Sequence, residues 1–236
     1  MPINTEKYKS LLAELNSKAT LVAVSKTKPI EAIQALHDLG QRDFGENYVQ
    51  EMADKEAVLP KDIRWHFIGH LQSNKVKYIA SFVHLIHGVD SWSLLKEINK
   101  QGAKNNRVID CLLQVHIAKE ETKFGFNEQE LSQLHDPVAS GLHELKNINI
   151  VGLMGMASFS DDTDLIRSEF AYLKSLFDSN AKLPSPANAV EQAGDSNFQL
   201  SILSMGMSGD YKIALEEGSN MVRIGSLLFG ERNYSN

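Results

Sequence analysis

Cysteine is almost absent from this sequence. The chain of 236 residues contains one, Cys111, which lies in the apolar run at residues 108–113. A single thiol excludes an intrachain disulfide and a thiolate metal cluster. It also leaves no Cys/His ligand pattern of the kind that binds zinc. The sequence therefore predicts a buried structural cysteine and no metal site.

Dense basic runs and long apolar runs are also missing. The 24 lysines and arginines face 30 acidic residues, for a net charge of −6, which disfavours nucleic acid and anionic membranes as partners. No apolar stretch approaches the roughly 20 residues of a bilayer span. Residues 1–6 lack the basic and apolar segments of a signal peptide. We therefore expect a soluble, cytoplasmic protein without a membrane or nucleic-acid partner.

The sequence does contain a regular alternation of two hydrophobic patterns. Short apolar segments rich in β-branched residues predict eight strands. These strands cover residues 20–26, 43–47, 65–70, 85–90, 108–116, 148–158, 198–207 and 221–229. Helical patterns lie between most of them; Ile166, Phe170, Leu173 and Phe177 share one helix face, with Thr163 placed to cap it. Strands that alternate with helices indicate parallel β/α units.

Eight β/α units in a chain of this length predict a single (β/α)8 barrel of the TIM type. An extra helix precedes the first strand, with Tyr8, Leu11, Leu12 and Leu15 on its apolar face. A doubly wound open sheet is the alternative, and it is disfavoured because no G-x-G-x-x-G or Walker loop follows a strand. Without repeats or linker segments, residues 1–236 are predicted to form one domain.

Lys26 is placed where its amine can become reactive. It ends the first predicted strand, and the alternation of a strand puts Val22, Val24 and Lys26 on one face. Burial disfavours the ammonium form, and the neighbouring Lys28 acts in the same direction. A lysine that is partly neutral can form a Schiff base with an aldehyde. The alternative is an ordinary lysine whose stem covers apolar surface at a strand end.

The last two predicted strands carry features suited to an anion. Phosphate sites of such barrels often lie in the loops after strands seven and eight. Residues 204–210, SMGMSGD, supply glycines and serine hydroxyls, and Arg223 supplies a permanent cation. Gly225 and Ser226 offer backbone N–H groups. The alternatives are a simple turn and an ion pair at a strand end, but the joint position favours a phosphate pocket.

Strands one and eight are neighbours in a closed barrel, so the lysine and the phosphate pocket can serve one ligand. Pyridoxal 5′-phosphate (PLP) carries an aldehyde and a phosphate on one small ring and would bridge them. Aldolases that form Schiff bases with phosphorylated sugars use the same two elements. The residues themselves leave this choice open.

Five sequence blocks carry a resemblance to a known family. They are residues 23–29 (AVSKTKP), 44–48 (FGENY), 66–75 (HFIGHLQSNK), 203–208 (LSMGMS) and 221–226 (MVRIGS). In this order, and over nearly the whole chain, they resemble the YggS/PROSC family of pyridoxal phosphate homeostasis proteins. The resemblance implies a barrel like the N-terminal domain of alanine racemase, of PLP fold type III, with the cofactor held as an internal aldimine.

The resemblance also implies a cofactor-binding set, which is Lys26, Asn47, Ser204, Arg223, Gly225 and Ser226. Lys26 would carry the Schiff base and Asn47 would lie near the cofactor ring. Ser204, Gly225 and Ser226 would hold the phosphate, with Ser208 as a weaker candidate than Ser204. Arg223 would face the pyridine nitrogen, with a phosphate contact as the alternative.

Two segments depart from the family pattern. His116 stands where the family usually has asparagine, and residues 155–158, GMAS, replace a Cys-Ile-Pro-like run. Roles on the side of strands five and six are therefore left unassigned.

The same residues favour a carrier over a catalyst. A cation beside the pyridine nitrogen disfavours ring protonation and so weakens PLP as an electron sink. Racemisation needs a proton donor on each substrate face. In alanine racemases the second donor is a tyrosine of a further C-terminal domain of the partner subunit, and only residues 231–236 follow strand eight here.

The prediction is a monomeric PLP-binding protein that buffers PLP or delivers it to apo PLP-dependent enzymes, without robust catalysis of its own. The alternative is a PLP-dependent racemase or related enzyme with Tyr48 or His70 as the second acid/base. A third class, a Schiff-base aldolase without cofactor, predicts a colourless protein.

Overall fold

The computed structural model describes residues 3–118, 124–136, 141–181 and 198–230. Eight parallel strands close into a barrel in chain order, with β8 paired to β1. The strands are β1 Thr20–Val24, β2 Asp43–Glu46, β3 Arg64–Phe67, β4 Leu85–Val89, β5 Ile109–Gln114, β6 Ile148–Met154, β7 Phe198–Met207 and β8 Met221–Ile224. The predicted barrel is confirmed.

Helices surround the barrel within the described residues. The α-helices are α1 Thr5–Leu15, α2 Ile30–Asp38, α3 Val49–Val58, α4 Trp92–Lys104, α5 Glu128–Leu131, α6 Thr163–Ala181, α7 Tyr211–Glu216 and α8 Ser226–Phe229. Short 3-10 helices span Ser73–Tyr78, Ser132–His135 and Leu142–Glu144. The extra N-terminal helix is confirmed, and Tyr8, Leu11 and Leu15 are buried on its inner face, whereas the prediction for Leu12 is wrong because it is exposed.

Most predicted strands run past their observed carboxyl ends. The first ends at Val24, two residues before Lys26, and the predicted strand 221–229 ends at Ile224 before α8 begins. Leu228 and Phe229 are buried, so the apolar pattern continues although the backbone turns into a helix. Over four residues, periodicity cannot separate a buried strand from a buried helix.

The predicted cap of α6 is also wrong by one residue. Thr163 is the first helical residue, and the side chain of Asp162 accepts from the N–H groups of Asp164 and Leu165, both at 3.1 Å. No helix among the described residues is long and apolar enough to cross a membrane.

The interior of the barrel is unusually polar. Apolar residues between strands and helices form the main core, which includes Cys111 as predicted. A small separate cluster fills part of the barrel interior: Val22, Leu85, Leu112, Met154 and Met221. The rest is occupied by buried polar side chains, among them His66, His87, Ser204 and Arg223. Bulky branched residues usually fill this space, so these polar groups need partners inside the barrel.

Candidate functional site

Lys26 lies in a tight turn at the carboxyl-terminal mouth of the barrel. The Ser25 N–H still donates to the Gly45 carbonyl, at 2.9 Å, but the Lys28 N–H folds back onto the Ser25 carbonyl, at 3.0 Å. Thr27, next to the half-buried Lys26, has a φ of +61°, in the left-handed region that β-branched residues avoid. Such a backbone needs contacts that hold it in place.

Those contacts come from a buried ion network under the turn. The Lys55 Nζ donates to the Ser25 carbonyl at 2.8 Å, to Glu46 Oε1 at 2.8 Å and to Glu51 Oε1 at 2.7 Å. The Lys55 side chain is 7% exposed and that of Glu46 is fully buried. We call Glu46, Glu51 and Lys55 the lysine clamp.

The clamp holds the backbone on both sides of Lys26. On one side Lys55 binds the carbonyl of Ser25, and on the other Glu51 Oε1 accepts from the Thr27 N–H at 2.6 Å. Burial raises the pKa of Glu46, an effect that the Lys55 charge and hydrogen bonds partly offset. No sequence pattern signals this network, because Glu46 on β2 and Lys55 nine positions later become partners only when α3 packs beside the strand.

The Lys26 turn also contacts the last helix. The Lys28 amine donates to the carbonyls of Phe229 and Gly230, at 3.1 and 3.3 Å. The register of β1 on β8 pairs Val22 with Arg223. The structure therefore brings Lys26 next to the segment that carries Arg223, Gly225 and Ser226.

Arg223 points into the barrel and is 4% exposed. Its Nη1 donates to the carbonyl and the hydroxyl of Ser204, at 2.9 and 2.7 Å, and its Nη2 donates to the Gly155 carbonyl at 3.0 Å. Burial lowers the pKa of Arg223 to about 10, against a smaller effect of the Asp210 charge, so it stays a cation at neutral pH. Gly155 lies in the segment that the sequence left unassigned, and it helps to fix this arginine.

The predicted phosphate residues do not all lie together. Gly225 and Ser226 are at the mouth, where the Gly225 N–H donates to the Ser208 hydroxyl at 3.3 Å and α8 begins at Ser226. Ser204 instead lies inside the barrel, fully buried, with its hydroxyl bonded to Arg223 and His87. The geometry thus groups Ser208, not Ser204, with the backbone of Gly225 just after the last strand.

Asn47 holds an acceptor without a partner. It follows β2 directly, and its Oδ1 is buried with no hydrogen-bond donor among the described residues. Gly69 lies against it so closely that an added Cβ would be 2.6 Å from the Asn47 carbonyl oxygen. Buried polar atoms normally have a hydrogen-bond partner, so this acceptor suits a donor that a ligand supplies.

The two alternative acid/base residues differ in their surroundings. Tyr48 is 57% exposed. His70 Nδ1 lies 2.9 Å from Asp90 Oδ2, and its ring stacks on Phe124 with the centroids 4.6 Å apart.

A second polar cluster lies at the opposite end of the barrel, although the spacing of its residues predicts no metal site. Ligand atoms of Asp43, His66 and His84 lie within 4.8 Å of one another beside a cavity of about 260 Å³. Arg64 donates from Nε and Nη2 to the two oxygens of the Asp43 carboxylate. Because a guanidinium already neutralises that carboxylate, the cluster is a poor cation site.

The comparisons with known proteins agree on one family. The family model described as "Alanine racemase, N-terminal domain" matches residues 4–233. A pyridoxal phosphate homeostasis protein of Aquifex aeolicus (strain VF5) is 42% identical over 217 residues, which cover 92% of this chain and 88% of that protein. The chain belongs to the pyridoxal phosphate homeostasis protein family. Its counterpart in Synechocystis sp. is 37% identical and is covered over 97% of its length.

Solved structures share the fold of this barrel. PipY of Synechococcus elongatus PCC7942, solved with PLP bound, superposes with a TM-score of 0.78 at 34% identity, over 95% of this chain and 99% of that one. The alanine racemase of Bartonella henselae superposes with a TM-score of 0.67 at 18% identity, over 94% of this chain and 56% of that one. This second likeness concerns the fold alone.

Proposed function

We propose that this chain binds PLP covalently at the mouth of its barrel and serves PLP homeostasis by holding and releasing the cofactor. The observation that carries the proposal is the position of Lys26. It lies in a turn that the lysine clamp holds, next to the segment with the buried Arg223 and the Ser208–Gly225 contact. A relative that is 34% identical was solved with PLP bound, which supports the assignment.

The residues present fit the chemistry of the cofactor. PLP supplies an aldehyde for a primary amine, a phosphate and a phenolic hydroxyl. Lys26 is the amine, and the open acceptor Asn47 Oδ1 suits the phenolic hydroxyl as a donor. The hydroxyl of Ser208 and the backbone around Gly225 and Ser226 suit the phosphate.

This proposal revises the sequence-based role of Ser204 and keeps the leading role of Arg223 without its phosphate alternative. Ser204 binds Arg223 instead of the phosphate, because its hydroxyl is already engaged inside the barrel. Arg223 would face the ring nitrogen and not the phosphate, since all three of its hydrogen bonds fix it within the interior. A charged donor in that position would keep the nitrogen unprotonated.

Borohydride reduction of the PLP-loaded protein, followed by peptide mapping, tests the covalent bond. We expect one adduct, on Lys26, and an absorbance band at about 420 nm that is lost in Lys26→Ala. Lys28→Met is the matched control and should keep both, because the Lys28 amine is directed onto α8. An adduct on another lysine, or none on the unaltered chain, contradicts the proposal.

The carrier role is separated from catalysis by α-proton exchange. A carrier should exchange the α-proton of amino acids in deuterated water far below the ~10 per second typical of enzymes, while it releases PLP to an apo PLP-dependent enzyme. Saturable, stereospecific exchange at enzymatic rates favours the racemase alternative. We further propose that the chain acts as a monomer, which sedimentation with and without PLP tests.

A further inference from the structure

A line of polar side chains crosses the barrel interior from its amino-terminal end to Arg223. Asp43 Oδ1 lies 2.9 Å from His66 Nε2, and His66 Nδ1 lies 2.9 Å from His87 Nε2. His87 Nδ1 lies 3.2 Å from the Ser204 Oγ, which accepts from Arg223 Nη1 at 2.7 Å. All five residues are at most 8% exposed. We call them the interior chain.

The two ends of the interior chain fix the direction of every hydrogen bond. Arg223 can only donate, and an ionised Asp43 can only accept. We take both imidazoles between them as neutral, and each then has one donor and one acceptor along the line, as the Ser204 hydroxyl does. Arg223 therefore donates to Ser204, Ser204 to His87 Nδ1, His87 Nε2–H to His66 Nδ1, and His66 Nε2–H to Asp43. Both histidines are Nε2–H tautomers.

The protonation states at neutral pH agree with this direction. Burial would raise the pKa of Asp43, but hydrogen bonds from His66 and Arg64 outweigh it and lower that pKa to about 2. Burial holds the pKa of His87 well below its usual range. Asp43 is thus a carboxylate and His87 a neutral imidazole.

Arg223 depends on this arrangement because of its own surroundings. Its hydrogen-bond acceptors among the described residues are neutral oxygens, from Ser204 and Gly155. Asp210 acts on it only through space. A buried cation of this kind is held by the orientation of dipoles, and the interior chain aligns the Ser204 hydroxyl so that its lone pair faces Nη1.

We propose that Asp43, His66 and His87 are positioning residues that act through Ser204 to aim Arg223 at the ring nitrogen of the cofactor. This rests on the proposed PLP site. The interior chain thereby connects the cofactor site to the cavity at the opposite end of the barrel, where Asp43 and Arg64 meet.

A substitution series at His87 tests the proposal by PLP affinity. His87→Leu removes both hydrogen bonds and should weaken PLP binding about tenfold. His87→Asn places its oxygen where Nδ1 was and restores the acceptor for Ser204, so it should recover most of the affinity. His87→Gln restores only the donor to His66 and should bind nearly as weakly as His87→Leu. Equal affinity across the series overturns the proposal.

A control variant and a second measurement distinguish an effect on Arg223 from a general loss of folding and from a failure of the proposed PLP site. His84→Gln alters the same cavity outside the interior chain and should bind PLP within about twofold of the unaltered protein. Histidine 1H–15N spectra of the protein without PLP should show His66 and His87 as Nε2–H tautomers. Other tautomers overturn the proposed hydrogen-bond directions of the interior chain, even if PLP binds. Failure of the unaltered protein to bind PLP overturns the proposed function. In that case the spectra still test the interior chain, because they are recorded without PLP.

Discussion

Replacing Lys55 with methionine is expected to lower the free energy of unfolding by about 3–5 kcal/mol at pH 8. The substitution removes the cation from the lysine clamp and leaves the fully buried Glu46 without a counter-ion. It also frees the carbonyl of Ser25 and loosens Glu51, which holds the Thr27 N–H. PLP capture by Lys26 should therefore fall by more than the loss of folded protein explains. Urea unfolding and PLP titration measure the two effects.

The cost of Lys55→Met should depend on pH with a defined sign. The pKa of Glu46 is raised by burial above its usual 4.5, and without Lys55 it rises further. A carboxyl whose folded pKa is raised binds a proton more readily in the folded state, so stability falls as pH rises through that range. The variant should thus be less impaired near pH 5 than at pH 8.

Lys61→Met is the matched control for the Lys55 substitution. Lys61 also pairs with a glutamate, Glu56, at 2.7 Å, but its side chain is 64% exposed. Exposed pairs contribute about 0–1 kcal/mol. Equal losses in the two variants, or a loss at Lys55 that does not change with pH, would contradict a buried clamp.

Replacing Gly152 with alanine is expected to destabilise the barrel by about 3 kcal/mol or more. An added Cβ would lie 1.8 Å from the carbonyl oxygen of Ile202 on the neighbouring strand β7, which is backbone and cannot turn aside. The pairing of β6 with β7 is already irregular between Ile150 and Gly152. The alanine must push the two strands apart.

Gly152→Ala should also weaken PLP binding. Gly155 and Ser204, which accept from Arg223, lie just beyond the clash on these two strands, and the Gly155 N–H donates to the Ser204 carbonyl at 3.1 Å. Residual folded protein should therefore bind PLP more weakly. Thermal unfolding and PLP titration measure this.

Gly209→Ala is the matched control for the stability of Gly152→Ala, and it is not a control for PLP binding because it lies in the proposed phosphate loop. Nothing lies within 4 Å of its added Cβ, and both changes stiffen the unfolded chain alike. A normal stability of Gly152→Ala would show that β6 and β7 do not approach this closely.

The sequence alone was sufficient for the barrel, and it also pointed to two residues of the proposed site. Strand and helix periodicities are local properties, so eight β/α units and the closed sheet could be counted from residue patterns. Lys26 was predicted because it ends an apolar run at a loop of such a barrel, and Arg223 because it is a cation in the last predicted strand, beside the expected phosphate loops. The family resemblance added the cofactor to that frame.

Only the tertiary structure decided which side chains meet. Whether Ser204 or Ser208 faces the mouth depends on where β7 leaves the ladder, which an apolar pattern does not record. His87 and Ser204 are 117 positions apart in the sequence and lie 3.2 Å apart in the barrel. Periodicity reports burial along one segment, whereas the contact between His87 on β4 and Ser204 on β7 forms only when all eight strands close. The lysine clamp likewise forms only when α3 packs beside β2.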